Sequence, residues 1–153
     1  NLVVWDGLKV VGKCVKCVQA AVRFIRQSPS RLQRFQKYAV AEKINSKASL
    51  SLEVPTRWNS TYKMLSTTLV YDHAFTRYSK RDLYYNVGLA KDDDVDRPPN
   101  CNDWKQVKHL LVFLEVFYNV TLCLSGSSYV TSNLLFFEIV AIHTMLKHLE
   151  QIV

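Results

Sequence analysis

The chain has 153 residues, is 48% hydrophobic and 22% charged, and holds only 4 Gly and 4 Pro, which fits one globular domain with a sizeable core and excludes a disordered or linker-rich chain. Its net charge of +7 is uneven: residues 1–54 hold ten Lys and Arg against Asp6, Glu42 and Glu53, whereas residues 55–153 hold ten of each sign. A basic first third is a footprint for a polyanion, usually nucleic acid, or else a solvated face or a contact with an acidic neighbour.

Val4, Leu8, Val11, Val15, Val18, Val22 and Ile25 step by four and three, the spacing of one helix face. Lys9, Lys13, Lys16 and Arg23 share another face, so a first amphipathic helix is expected to end near Gln27. Its β-branched residues and Gly7 and Gly12 are weak helix formers, so packing must hold it. Pro29 breaks the pattern. Ser30 with Gln33 reads as a capping box opening a second helix to about Glu42, with Leu32, Phe35 and Ala39 inward and Arg31 and Arg34 on its flank.

Residues 49–54 alternate polar and apolar, the period of a half-buried strand, and Pro55 ends it. The turn Thr56-Arg-Trp-Asn-Ser60 follows, with Thr56 and Asn59 as candidate caps, and a third helix is expected from about Ser60 to Tyr78. Between Lys80 and Asn100 the pattern is lost. The acidic, Pro-rich stretch after Lys91 reads as a surface loop, since its spacing does not match a calcium-binding loop. Asn102 is expected to cap a fourth helix with an apolar stripe from Val107 to Leu122, and a fifth is expected from about Thr131 onward.

No apolar run approaches the roughly 18 residues of a membrane span, and no signal peptide is recognisable. The chain begins at Asn1 rather than Met and ends inside an apolar helical pattern, so both ends read as cuts through a longer protein. Cys14 and Cys17 form a C-x-x-C, but no second pair and no paired His stands at ligand spacing, so reduced structural thiols are the preferred reading over zinc or redox chemistry. The four histidines are scattered, and His143 and His148, five apart, do not share a helix face. No protease, hydrolase, P-loop or dinucleotide motif is present.

The sharpest local feature is Val54-Pro-Thr-Arg-Trp-Asn-Ser-Thr-Tyr62. Arg57 can grip a phosphate with two hydrogen bonds, and an exposed Trp58 indole beside it would offer a plane on which an unpaired base stacks. The competing reading makes Trp58 a core anchor for the third helix and Arg57 a partner of a nearby carbonyl.

Residues 50–65 around this turn closely resemble the segment bearing the R-W motif of hAT-superfamily DNA transposases, especially the plant RICESLEEPER-like and BED-finger type. Asn1-Leu-Val-Val-Trp-Asp-Gly-Leu8, Ser28-Pro-Ser-Arg-Leu-Gln-Arg-Phe35, Asp103-Trp104 and Ser125-Gly-Ser-Ser-Tyr-Val-Thr-Ser-Asn133 resemble further blocks in the same order, over nearly the whole chain. Glu53 departs from the Asp common in relatives.

The resemblance implies an RNase H-like core interrupted by a helical insertion. It implies three carboxylates that bind divalent metal (Mg) and cut DNA, all lying outside this chain, so no catalytic residue and no metal site is expected here and two-metal chemistry could not run on this segment alone. The implied fold is mainly α with one short strand. Residues 1–58 would belong to the RNase H-like core and 59–153 would open the all-α insertion. The family's Trp helps stabilise a flipped base, which maps onto Trp58 with Arg57 beside it. The expected DNA-binding residues are thus Arg57, Trp58, Lys9, Lys13, Lys16, Arg31 and Arg34. The expected partners are DNA, the remainder of the transposase fold and, through sequence beyond the C-terminal end, a second copy, with no membrane. The expected compartment is the nucleus, where the sequons at Asn59 and Asn119 never meet the glycosylation machinery. Two function classes stay open, an active transposase and a domesticated nuclear DNA- or protein-binding factor without cleavage activity; a plain helical interaction domain is a third.

Overall fold

The computed structural model describes residues 12–44, 46, 48–52, 54, 57–90, 97–126, 136, 140 and 144. Six helices are formed among them: α1 (Gly12–Arg26), α2 (Pro29–Ala41), α3 (Trp58–Leu69), α4 (Asp72–Arg81), α5 (Leu83–Leu89) and α6 (Cys101–Gly126). The chain divides into two compact units, Asn1–Leu111 and Val112–Val153. The described part of the first unit is built around α1, which packs against α2, α3 and α5, while α4 packs against α2 and α5.

Helix α1 buries Cys14, Val15, Cys17, Val18, Ala20, Ala21, Val22, Phe24 and Ile25, almost its whole circumference. That is how a segment rich in β-branched residues stays helical: neighbours, not propensity, hold it. The C-x-x-C pair faces this core. Burial, and after it the charge of Asp103, pushes the Cys14 thiol up to about 11, so it stays protonated at neutral pH.

Helix α2 starts one step earlier than its sequence suggests. Ser28 stands at the cap position with extended backbone and Pro29 takes the first turn, the place where a missing N–H costs nothing. The expected Ser30–Gln33 box is not formed; the Ser30 hydroxyl instead meets that of Ser28 at 2.9 Å. The helix ends in a full left-handed cap, with Lys43 at φ 57°, its N–H on Val40 and the Ile44 N–H on Ala39.

The expected strand is not formed among the described residues. Leu50 is buried, but Leu52 and Val54 are 52% and 48% exposed. Strand geometry is held by a ladder partner, and the described backbone supplies none. The stretch is pinned instead at its two ends. The Tyr71 hydroxyl donates to the carbonyls of Ser46 and Ala48, and the Val54 N–H donates to the Ser60 hydroxyl at 2.6 Å.

The single helix expected over 60–78 is two, α3 and α4, broken at Val70 and Tyr71. Thr61, Met64, Thr68, Tyr71, Phe75 and Tyr78 are all buried, and their three–four rhythm runs unbroken through the corner, so periodicity is blind to it. Beyond it, Phe75 meets Phe35 at 4.6 Å and Trp104 at 5.6 Å, and Tyr78 meets Tyr85 at 4.9 Å, forming one aromatic core.

The stretch expected to lack pattern contains α5. Asp82 opens it, its carboxylate accepting the Tyr85 N–H at 3.2 Å and the Arg34 guanidinium at 2.6 Å. Helix α6 is capped by Asn100, not Asn102: Asn100 Oδ1 accepts the Asp103 N–H at 2.9 Å while Asp103 Oδ2 accepts the Asn100 N–H at 2.7 Å. Arg97 grips both oxygens of Asp103. In the second unit, Phe113 and Phe117 stack along α6 with ring centroids 4.9 Å apart. The fifth expected helix lies largely outside the described residues; Phe136, Val140 and Thr144 within it are helical.

Helices α1 and α5 approach closely at Gly88, where a Cβ would stand 2.3 Å from Phe24 Cε2. Gly88→Ala is expected to lose about 1–3 kcal/mol of stability from overpacking, outweighing a gain of about 1 kcal/mol in helix propensity. Urea unfolding reads the balance, and an unchanged or raised midpoint would refute the close approach.

Burial pushes the carboxyls of Asp82 and Asp103 up, but hydrogen bonds from Arg34 and the Tyr85 N–H to the first, and from Arg97 and the Asn100 N–H to the second, leave both below the ordinary value. Groups depressed in the folded state stabilise fully above their unfolded value of about 3.9, and that stabilisation is lost as pH falls through the folded value. The denaturation midpoint should therefore drop on acidification below about pH 5. A variant with Asp82→Asn and Asp103→Asn should start lower at pH 7 and show a flatter profile; parallel profiles would count against the two ion pairs.

Candidate functional site

The nearly complete burial of α1 leaves one strip of it at the surface. The exposed residues of this helix are Lys13, Lys16, Arg23 and Arg26, and its sequence contains no acid. Lys16 and Arg23, seven residues apart, lie on one line along the helix, with Lys13 and Arg26 flanking them, over roughly 20 Å at 1.5 Å per residue. Arg23 and Arg26 also stand in the last turn, where cations suit the helix dipole. Lys13 lies close enough to Asp103 to help hold that carboxyl down. Lys9 lies outside the described residues.

Arg31 and Arg34 are already engaged. Arg31 lies over the Phe24 ring, 3.8 Å from its centroid, and donates to the Phe24 carbonyl at 3.2 Å. Arg34 holds Asp82, whose side chain is 4% exposed, although half of Arg34's own surface remains open. These two arginines fasten α2 to α1 and to the start of α5.

Arg57 and Trp58 part company at the start of α3. Arg57 is exposed at the cap position. The exposed indole expected beside it is instead buried, at 8% exposure, in line with Thr61, Leu65 and Thr68 on the inward face of α3. The ring anchors the helix whose first residue it is. Asn59, a candidate cap, lies inside α3, and Thr56 falls outside the described residues.

Among the described residues no three His, Cys, Asp or Glu side chains converge as a metal-binding set. The two buried acids do not fit that role, each being capped into a helix start and paired with an arginine. No helix among the described residues is long and apolar enough to cross a membrane. Arg23 and Arg26 are cations of the α1 strip absent from the expected DNA-binding residues; Arg23 was expected on this face, and Arg26, three residues after it, continues that face.

Residues 1–113 match the family described as ZBED1 RNase-like helical domain. The chain is 30% identical over 90% of its length to the zinc finger BED domain-containing protein RICESLEEPER 2 of Oryza sativa subsp. japonica. It is 32% identical over 89% of its length to a putative AC transposase of Zea mays, and 25% identical over 70% to the zinc finger BED domain-containing protein DAYSLEEPER of Arabidopsis thaliana. It spans 18%, 16% and 14% of those three relatives. No solved structure matches it. The chain belongs to the hAT transposase-related family defined by the RNase-like helical domain, together with the RICESLEEPER proteins and the AC transposases.

Proposed function

We propose that this segment binds and positions DNA within a transposase-related protein and does not cut it on its own. The observation that carries this reading is the surface of α1: the helix is wrapped by apolar contacts, and the strip left open holds four cations and no acid. A row of fixed cations on a rigid helix suits the regularly spaced charges of a nucleic-acid backbone, whose contacts position a protein without reading sequence. Arg57 adds an exposed guanidinium at the start of α3, next in the chain to buried Trp58. Arg31 fixes α2 against α1 and Arg34 fixes it to the start of α5.

Membership of the family supports the rest of the reading. The parent protein works in the nucleus. Residues 1–58 belong to its RNase H-like core and 59–153 begin the helical insertion. A cutting parent supplies its metal-binding carboxylates, for Mg, from sequence outside this chain, and pairs with a second copy through other regions. A parent that has lost those carboxylates keeps the DNA-binding role proposed here.

The test is salt-dependent binding to a labelled DNA duplex, followed by fluorescence anisotropy. Lys13→Gln with Lys16→Gln should weaken binding and lower the slope of log affinity against log salt by about 1.8, at roughly 0.9 per lost phosphate contact. Unchanged affinity and slope would overturn the reading. Arg57→Gln should weaken binding with no change in stability, whereas Trp58→Ala should cost about 3–5 kcal/mol of stability as a buried aromatic truncation. Trp58→Phe separates anchoring from stacking: a loss confined to DNA with an unpaired base assigns Trp58 to the base, and equal affinities leave it as the anchor of α3.

A further inference from the structure

The outward side of α4 forms a second charged surface that the reading above does not use. His73, Thr76, Arg77, Lys80 and Arg81 line a shallow, open cleft of about 350 Å³ together with Glu42, the residue that ends α2. At 100° per residue these five positions fall within one side of α4, while Ala74, Phe75 and Tyr78 fill the opposite, buried side. Glu42 is taken up by Arg77, at 2.5 Å, and Asp72 stands 3.8 Å from His73. Lys80 and Arg81 are exposed and carry no ion pair among the described residues. Two cations therefore face solvent at the cleft, while the Arg77 guanidinium beside them is held by Glu42.

Two residues past Arg81 the surface changes character. Leu83 and Tyr84, in the first turn of α5, are 79% and 81% exposed. Nothing in the fold requires an open aromatic ring there, because the same helix is held by buried Tyr85 and Leu89. Exposed cations and a bare ring within residues 80–84 match an unpaired nucleic-acid strand, whose phosphates need charge and whose bases need a flat apolar face. A duplex would leave the ring unused, and a free phosphate would need no ring.

We infer that the α4–α5 corner binds unpaired DNA, with Lys80 and Arg81 on backbone phosphates and Tyr84 stacked on a base. The identity of the strand rests on the DNA-binding reading above; the site itself is separate from the α1 strip. It gives the buried Trp58 a counterpart: among the described residues of this unit, Tyr84 presents an open aromatic ring.

The test compares the whole chain with two loss variants and one charge-keeping control on a labelled single-stranded oligodeoxynucleotide and on a duplex. Lys80→Gln with Arg81→Gln should lower the salt slope on the single strand by about 1.4, at roughly 0.7 per contact. Tyr84→Ser should weaken single-strand binding about tenfold, within the range for one stacked base, and leave duplex binding unchanged. Lys80→Arg with Arg81→Lys keeps the charge and should bind as the original chain does, and equal melting temperatures exclude a folding effect. Single-strand affinity and slope unchanged in both variants would overturn this inference, while a duplex loss with Lys13→Gln and Lys16→Gln would leave the α1 reading standing. Loss at the corner with no effect on α1 would do the reverse. An effect of Lys80→Gln with Arg81→Gln but none of Tyr84→Ser would also overturn it, reducing the corner to a plain anion site.

Discussion

Helix α1 cannot stand without its neighbours, and much of the first unit follows from that dependence. Its sequence is crowded with valine and contains Gly12, residues that lose conformational freedom or packing in an isolated helix. Burial supplies what propensity does not. Nine of its positions sit in the core, at roughly 25 cal/mol for each Å² of apolar surface removed from water. The cost is geometric: α2, α3 and α5 must all reach one helix, and α5 reaches it only because Gly88 leaves room for the Phe24 ring. The polar residues of α1 are then confined to the side no neighbour covers, so its cationic strip is as much a product of core packing as of charge.

A second constraint concerns the two buried carboxylates. A carboxylate in an apolar setting is costly unless hydrogen-bonded and paired. Asp82 and Asp103 each solve this in the same way, accepting a backbone N–H at a helix start and a guanidinium from elsewhere in the chain. Negative charge at a helix N-terminus also meets the positive end of the dipole. Each acid thereby marks where a helix begins and fixes what crosses it. Arg34 ties α2 to the α4–α5 corner over 48 residues of sequence. An arginine so used keeps part of its surface in water, yet its geometry serves the fold first.

How much of this was legible in the sequence depends on the physical signal each feature leaves. The mainly helical fold, the α1 face and the start of α6 within two residues were legible, because long apolar periodicity and capping residues are local. The corner at Val70 and Tyr71 was not, since neither Gly nor Pro marks it and the buried rhythm continues across it. Helix α5 was hidden because Leu83, Tyr84 and Val87 face solvent and erase the amphipathic contrast that periodicity detects. The strand over 49–54 was written in the alternation, but alternation states only which residues would share a face; a ladder partner decides whether a strand exists. The engagement of Arg31 and Arg34 was illegible for the same reason: Phe24 and Asp82, their partners, are neighbours only in space.

The turn at Arg57 and Trp58 shows why a recognition motif can look simpler in sequence than in structure. Side by side in the chain, the two residues suggest one composite surface, a cation next to a ring. Arg57 stands at the cap position with extended backbone while Trp58 is the first helical residue, so the ring goes to the core and its neighbour stays exposed. Burial of Trp58 fixes where α3 begins, and that start sets the place of Arg57. A motif of this kind needs both residues whether or not both touch a ligand: one holds the backbone, the other meets what lies outside. Exposed chemistry in this unit is therefore to be sought where the core has no claim on a side chain. On the described surface those places are the open strip of α1, Arg57 itself and the corner where Arg81 gives way to Tyr84.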